Sequence, residues 1–140
     1  MHCKKDFDTL MEKTALMALA TSVDGCPNVR VVNFCYDIKR PGVVYFSTCR
    51  DNAKVMEFVK NNNVAFTTIP TEGISHVRVQ NAQVKKSSYT ANDLQELFVS
   101  QIHDFAETLA EIGDELEFYE IHMKSAVITL GYEEQKIINF

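Results

Sequence analysis

Five side chains able to donate hydrogen bonds fall close together in the chain, at Ser47, Thr48, Arg50, Asn52 and Lys54. Hydroxyl, guanidinium, amide and ammonium groups are the donor types that hold a phosphate. A helix beginning among them would add unpaired N–H groups and the positive end of its dipole. The same stretch also suits a role without a ligand, because Asp51 or Asn52 can cap a helix by accepting a main-chain N–H. The glycine pattern of a P-loop is missing. Taken alone, the junction is compatible with a phosphate seat and with an ordinary capped helix start.

The elements that must carry this junction follow from hydrophobic period. Val43 to Phe46 is a continuous apolar run, as in a buried strand. Val55, Phe58 and Val59 recur at helical spacing, so the spacing predicts strand, polar turn and then a helix over about 51–62. Upstream, Phe7, Leu10 and Met11 mark an amphipathic helix over 4–14. Leu16 to Ser22 reads as a strand that turns at Val23-Asp24-Gly25 into a second strand from Pro27 to Tyr36. A turn at 38–42 leads to the junction strand, which suggests a three-stranded antiparallel meander. Downstream, Val64 to Ile69 is a strand, 70–73 a turn, and Ile74 to Lys86 a fifth strand that alternates through Val77 and Val79 and, less cleanly, Ala82 and Val84, as suits a strand with one wet or ligand-facing side. Thr90-Ala91-Asn92-Asp93 has the form of a capping box with Asp in the Glu position. It opens a helical region carrying Leu94, Leu97, Phe98, Ile102, Phe105, Leu109, Ile112 and Leu116, with a break near His103 and an end near Gly113. Phe118 to Leu130 returns to strand, and Glu133 to Phe140 suits a last edge strand. The expected fold is mainly β with peripheral helices, a small antiparallel Greek-key-type barrel in one domain over 1–140. A regular β-α-β alternation is absent.

Composition narrows the function classes. With 46% hydrophobic and 24% charged residues the chain is an ordinary globular protein, without an apolar run long enough to span a membrane. A net charge of −5 leaves no basic face for nucleic acid. The first residues lack the features of a signal peptide, so a cytoplasmic location is expected. The four cysteines form no C-x-x-C pair, which favours reduced thiols and no metal site. Carboxylates gather between Asp104 and Glu120, whereas Arg30, Arg40, Arg50, Lys54 and Lys60 lie in the first half, where an anionic ligand would sit more comfortably. No Ser/His/Asp set or H-x-x-x-H pattern is legible. Of the histidines, His103 and His122 suit structural or surface roles, and His76 stands beside Arg78 on the alternating strand.

Several of these pieces recur in a fixed order: Ala18-Leu19-Ala20-Thr21 with Asp24-Gly25 and Pro27, Val29-Arg30-Val31-Val32, Tyr45-Phe46-Ser47-Thr48, Lys54, Val64-Ala65-Phe66, and Val77-Arg78-Val79-Gln80-Asn81-Ala82. In that order and spacing the chain resembles the pyridoxamine 5′-phosphate oxidase-like family of FMN-binding split β-barrels over nearly its whole length. The resemblance implies FMN held at the interface of a homodimer. Arg30, Val31, Val32 and Asn33 would run along the isoalloxazine, with Ser47, Thr48 and Asn52 near the ribityl chain and phosphate. Lys54 would pair with the phosphate, and His76 and Arg78 would approach from the other subunit. Where the family commonly has a basic residue before that lysine, this chain has Ala53, and Arg50 or Arg30 would have to supply the charge. Where it usually has glycine, this chain has Asn81, which tolerates positive φ. The C-terminal Lys136-Ile137-Ile138-Asn139-Phe140 departs from the substrate-gripping basic segments of true pyridoxamine phosphate oxidases and points away from that activity.

The expected function is therefore an FMN-dependent oxidoreductase that accepts hydride from a small electron donor and passes electrons to a small-molecule acceptor. No catalytic side chain is assigned, because a flavin carries its own redox chemistry and requires no protein acid or base for hydride transfer. A flavin carrier or sensor without turnover uses the same residues, and haem in the same barrel is a third reading.

Overall fold

The computed structural model describes residues 2–140, leaving Met1 outside the described residues. Its elements, in chain order, are α1 (His2–Lys13), β1 (Leu16–Val23), β2 (Cys26–Asn33), β3 (Cys35–Tyr36), β4 (Val43–Cys49), α2 (Ala53–Lys60), β5 (Asn63–Thr68), β6 (His76–Lys86), α3 (Ala91–Gln101), α4 (Phe105–Ile112), β7 (Leu116–His122), β8 (Ser125–Thr129) and β9 (Gln135–Asn139). All strand pairings are antiparallel, and the main path runs β2-β1-β5-β6-β7-β4-β3.

The split arises on β6. One of its edges pairs with β5, while the other pairs with β8 through His76–Arg78 and then with β7 through Gln83–Lys86. Val64 faces Ala82 and Phe66 faces Val79, so Gln80 and Asn81 together stand opposite Ala65 in a bulge. Asn81 has φ 56°, the left-handed conformation expected where the family usually has glycine. The extra residue resets the alternation, so that Val77, Val79, Ala82 and Val84 all face inward and are buried.

Two apolar cores result. Alternate residues of β4 contribute to each: Val44 and Phe46 join Leu19, Phe66, Val79 and Ile121 inside the barrel, whereas Val43 and Tyr45 join Leu94, Phe98, Phe105 and Phe118 beneath α3 and α4. A strand buried on both faces needs no polar alternation, which is why Val43 to Phe46 reads as an unbroken apolar run. The helical layer is fastened at the sheet edge by Gln101. Its side-chain amide accepts from the Tyr36 N–H at 2.9 Å and donates to the Tyr36 carbonyl at 2.8 Å, taking the place of a further strand.

The capping box at Thr90 and Asp93 forms as expected, the helix breaks between Gln101 and Phe105, and β9 is the edge strand. Four local expectations change. The run Pro27 to Tyr36 is two strands, interrupted at buried Phe34, and β3 pairs with β4 instead of continuing along β1. The meander is therefore not formed: β4 pairs with β7 from Val43 opposite His122 to Cys49 opposite Leu116. The apolar stretch from Phe118 to Leu130 is likewise two strands, β7 and β8. On α2, Phe58 is buried but Val59 is 78% exposed, so the apolar stripe is narrower than its spacing suggests.

Asn81→Val forces a β-branched residue into the left-handed region and is expected to lower unfolding free energy by about 1–2 kcal/mol in urea titration. Asn81→Gly is expected to remain within about 1 kcal/mol of the parent.

Candidate functional site

The strand-to-helix junction folds as a capped helix start. Asn52 is the N-cap of α2, with its side chain accepting from the Lys54 N–H at 3.1 Å. That satisfies one helix-start donor and accounts for Asn52 without a ligand. It also fixes the first turn of α2, which is where Lys54 begins.

One turn on, Glu57 ties α2 to the β1–β2 hairpin. Its carboxylate accepts from Thr21 Oγ1 at 2.9 Å and Asn28 Nδ2 at 3.1 Å, and it forms an ion pair with Arg30 through Nη2. The Asn28 hydrogen bond, with those from Thr21 and Arg30, holds the Glu57 carboxyl below its ordinary range. Arg30 in turn donates through Nη1 to the Leu19 carbonyl at 3.2 Å. The guanidinium is therefore gripped on two of its nitrogens.

Lys54 is different. It is half-buried and has no ion pair or side-chain hydrogen bond among the described residues. Burial and then the neighbouring Arg30 charge push its ammonium pKa down, only partly opposed by Cys49 and Glu57. Arg30 thus stands beside Lys54 where Ala53 leaves a gap. Arg50 instead borders a cavity with Lys86, Ser87, Tyr89 and Glu117. Two cations and one carboxylate at a helix start make a seat with excess positive charge, suited to a phosphate monoester.

The strand residues expected along a flavin ring divide between two faces. Arg30 and Val32 lie opposite the core residues Leu19 and Met17, whereas Val31 and Asn33 lie opposite Ala18 and Leu16 on the outer face. Val31, Ala18, Thr67, Arg78, Val127 and Ile137 follow one another directly across six strands, forming one row of that face. His76 sits next to the row, opposite Thr129. Three strand spacings separate Val31 from Arg78, roughly 14 Å, so within one chain Arg78 and His76 stand apart from the Lys54 seat. The His76 Nδ1 lies 2.6 Å from the Ile74 carbonyl, which can only accept, so Nδ1 carries the proton and Nε2 is left as an acceptor in the neutral ring. Ser47 and Thr48 are neighbours in an extended strand and point to opposite faces, Thr48 being buried and Ser47 half-buried.

The outer face itself is apolar. Val29, Val31 and Ile137 are 63%, 60% and 65% exposed, with Ala18, Ala20 and Ala65 between β2 and β6. Among the described residues β2 pairs with β1 alone, and its second edge has no strand partner.

A second polar cluster was not evident from the sequence. Buried Glu120 accepts from Ser87 Oγ at 2.8 Å and pairs with His122 Nε2 at 2.8 Å and Arg40 Nη1 at 3.5 Å. Burial raises the Glu120 pKa, but Ser87, His122 and Arg40 together outweigh it and keep the carboxylate ionised. Arg40 also lies over the Tyr45 and Tyr89 rings, at 5.6 and 5.4 Å from their centroids. Neither Glu57 nor Glu120 has a motif to announce it, because Thr21, Asn28 and Arg30 come to Glu57, and Ser87 and Arg40 to Glu120, from other elements.

The model of the family described as pyridoxamine 5′-phosphate oxidase-like matches residues 10–135. The chain belongs to that family. Its split barrel is similar to a pyridoxamine 5′-phosphate oxidase-like protein from Listeria innocua, at 13% identity and TM-score 0.68 over 99% of each chain. It is also similar to an FAD-binding protein from Mesorhizobium loti, at 14% identity and TM-score 0.64 over 87% of this chain and 88% of the other. A heme binding protein from Mycobacterium smegmatis shares the fold at 11% identity and TM-score 0.74, over 97% of this chain and 57% of the other. No curated protein matches the chain in sequence. None of the helices among the described residues of this family member is long and apolar enough to cross a membrane.

An unpartnered, desolvated cation costs stability. Lys54→Gln is therefore expected to leave the ligand-free protein as stable as the parent or more so in thermal unfolding at neutral pH. Because the folded-state pKa of Lys54 is lowered, the penalty is full below it. The parent should gain on the variant as pH rises from that value toward the ordinary lysine value.

Proposed function

We propose that this protein binds FMN and acts as a flavin-dependent oxidoreductase on a small molecule, as a homodimer with the flavin at the subunit interface. The observation that carries the reading is Lys54: a half-buried ammonium with no anion of its own, beside Arg30, at the start of α2. A charge left in that state is explained by a phosphate that completes it. In this reading Lys54 pairs with the phosphate as a point charge, Arg30 adds the second cation, and the free edge of β2 offers main-chain donors and acceptors to a flat polar ring edge. FMN would supply hydride acceptance and electron transfer. The protein supplies position, charge and exclusion of water.

The dimer is supported by the apolar outer face. Exposed Val29, Val31, Leu16 and Ile137 around small alanines form a surface that a second copy of the chain would cover. In such a dimer His76 and Arg78 of one copy would approach the β2 strand of the other, from which the single chain keeps them apart. Val31→Asp is expected to shift the protein to a monomer in light scattering and to weaken flavin binding with it.

The absorbance spectrum of purified protein after FMN addition is the direct test. A perturbed flavin spectrum with quenched fluorescence at micromolar concentration supports the proposal, and an unaltered free-flavin spectrum refutes it. Lys54→Ala should weaken FMN by roughly 1.5–3 kcal/mol, about 10- to 150-fold, with little effect on riboflavin. FMN affinity should also fall as pH rises through the lowered Lys54 pKa, as the ammonium loses its proton. Bleaching of the bound flavin by NADH or NADPH under anaerobic stopped-flow would establish turnover in place of a carrier role. A second reading, haem, draws on the free Nε2 of His76, whose Nδ1 is anchored as in many metal-bound histidines. A Soret band on haem addition, absent in His76→Ala, would favour it.

A further inference from the structure

We infer that Glu57 is a positioning residue for the phosphate seat, holding the Arg30 guanidinium beside Lys54 in the orientation an anionic ligand needs. The inference rests on the reading of Arg30 and Lys54 as that seat and adds to it a residue of opposite sign. Charge alone argues against a carboxylate there, since it repels a phosphate. Geometry argues for it. Arg30 lies on an edge strand, and a free arginine side chain there would sample many rotamers. Glu57 takes Nη2 and the Leu19 carbonyl takes Nη1, which fixes the plane of the rigid guanidinium and leaves its remaining N–H groups uncommitted.

Glu57 is itself held. Thr21 Oγ1 and Asn28 Nδ2 both donate to it, from β1 and β2, so the carboxylate is anchored to the hairpin that carries Arg30. Lys54 lies three residues earlier on α2, on the adjoining part of the helix surface. One carboxylate therefore sets the distance between two cations that come from separate elements. Phe58 and Val55 pack α2 against the barrel core, and the three partners of Glu57 join the helix specifically to the strand pair that carries Arg30. A preorganised cation binds with less loss of side-chain freedom.

The test has opposite signs for the two views. Glu57→Gln removes a negative charge from an anion site, and on charge alone should tighten FMN. If Glu57 acts by positioning Arg30, the variant should weaken FMN about tenfold while riboflavin affinity is unchanged, because only the phosphate is affected. In an Arg30→Gln background the same substitution should no longer weaken FMN, since the group it positions is gone. Equal or tighter FMN binding, or a full additive effect in the double variant, overturns the inference. Should Glu57→Gln fail to fold, Asn28→Ala carries the test, as it loosens the carboxylate without changing any charge. A drop in FMN affinity with riboflavin unchanged supports positioning, and no change overturns it. A parent protein that takes up no FMN refutes the functional reading instead, and does so before any variant is made.

Discussion

The architecture depends on β6 having two partners along one edge. A strand that pairs with β8 and then with β7 must change course between them, and a straight strand of L-residues in register would carry one of its apolar halves out of the core. The bulge at Gln80 and Asn81 removes the conflict by inserting one residue, at the cost of a left-handed backbone that asparagine can adopt. Both halves of β6 then face the interior. With that settled, β5 and β1 continue the sheet on one side and β7 and β4 on the other, which places α2 across the gap between the end of β4 and the β1–β2 hairpin.

α2 has only eight residues, too few to be stable as an isolated helix. Its place is fixed by Phe58 and Val55 in the barrel core, by the Asn52 cap, and by the Glu57 carboxylate reaching the hairpin. The arrangement concentrates charge where the fold gains least from it. Arg30 is compensated, Lys54 is not, and the electrostatic cost of Lys54 is the opposite of what selection for stability alone would leave. Sites that must receive a charged ligand commonly show this imbalance, because a cation fully satisfied within the protein has little left to offer.

Much of the fold was legible because its signals are local. Thr90 and Asp93 announce their capping box in four residues, Asn81 stands where the backbone needs a permissive residue, and the alternation of β6 is visible on either side of it. The pairing of strands was less accessible. Pro27 to Tyr36 looks continuous because Phe34, whose N–H bonds to the Ala15 carbonyl, is as apolar as its neighbours, yet the chain there leaves one end of the sheet for the other. Sequence spacing carries no information about which distant strand will pair with β4. The site divides in the same way. Lys54 and Arg30 could be singled out by type and position, but Glu57 looks like any acid on a solvated helix until Thr21 and Asn28 are brought to it. Val59 misleads for a related reason: a short helix lying over a sheet edge buries a narrower stripe than its apolar spacing suggests.

The pairing of β4 with β7 also governs how the chain must fold. β1 and β2 can form a hairpin as soon as both exist, but β4 meets its principal partner only across the whole of α2, β5, β6, α3 and α4. During synthesis the segment Val43–Cys49, apolar on both of its faces, waits several seconds for residues 116–122 at ordinary elongation rates. Through that interval it has only the two residues of β3 beside it. An unpaired apolar strand in that state is open to chaperone capture or to pairing with another molecule.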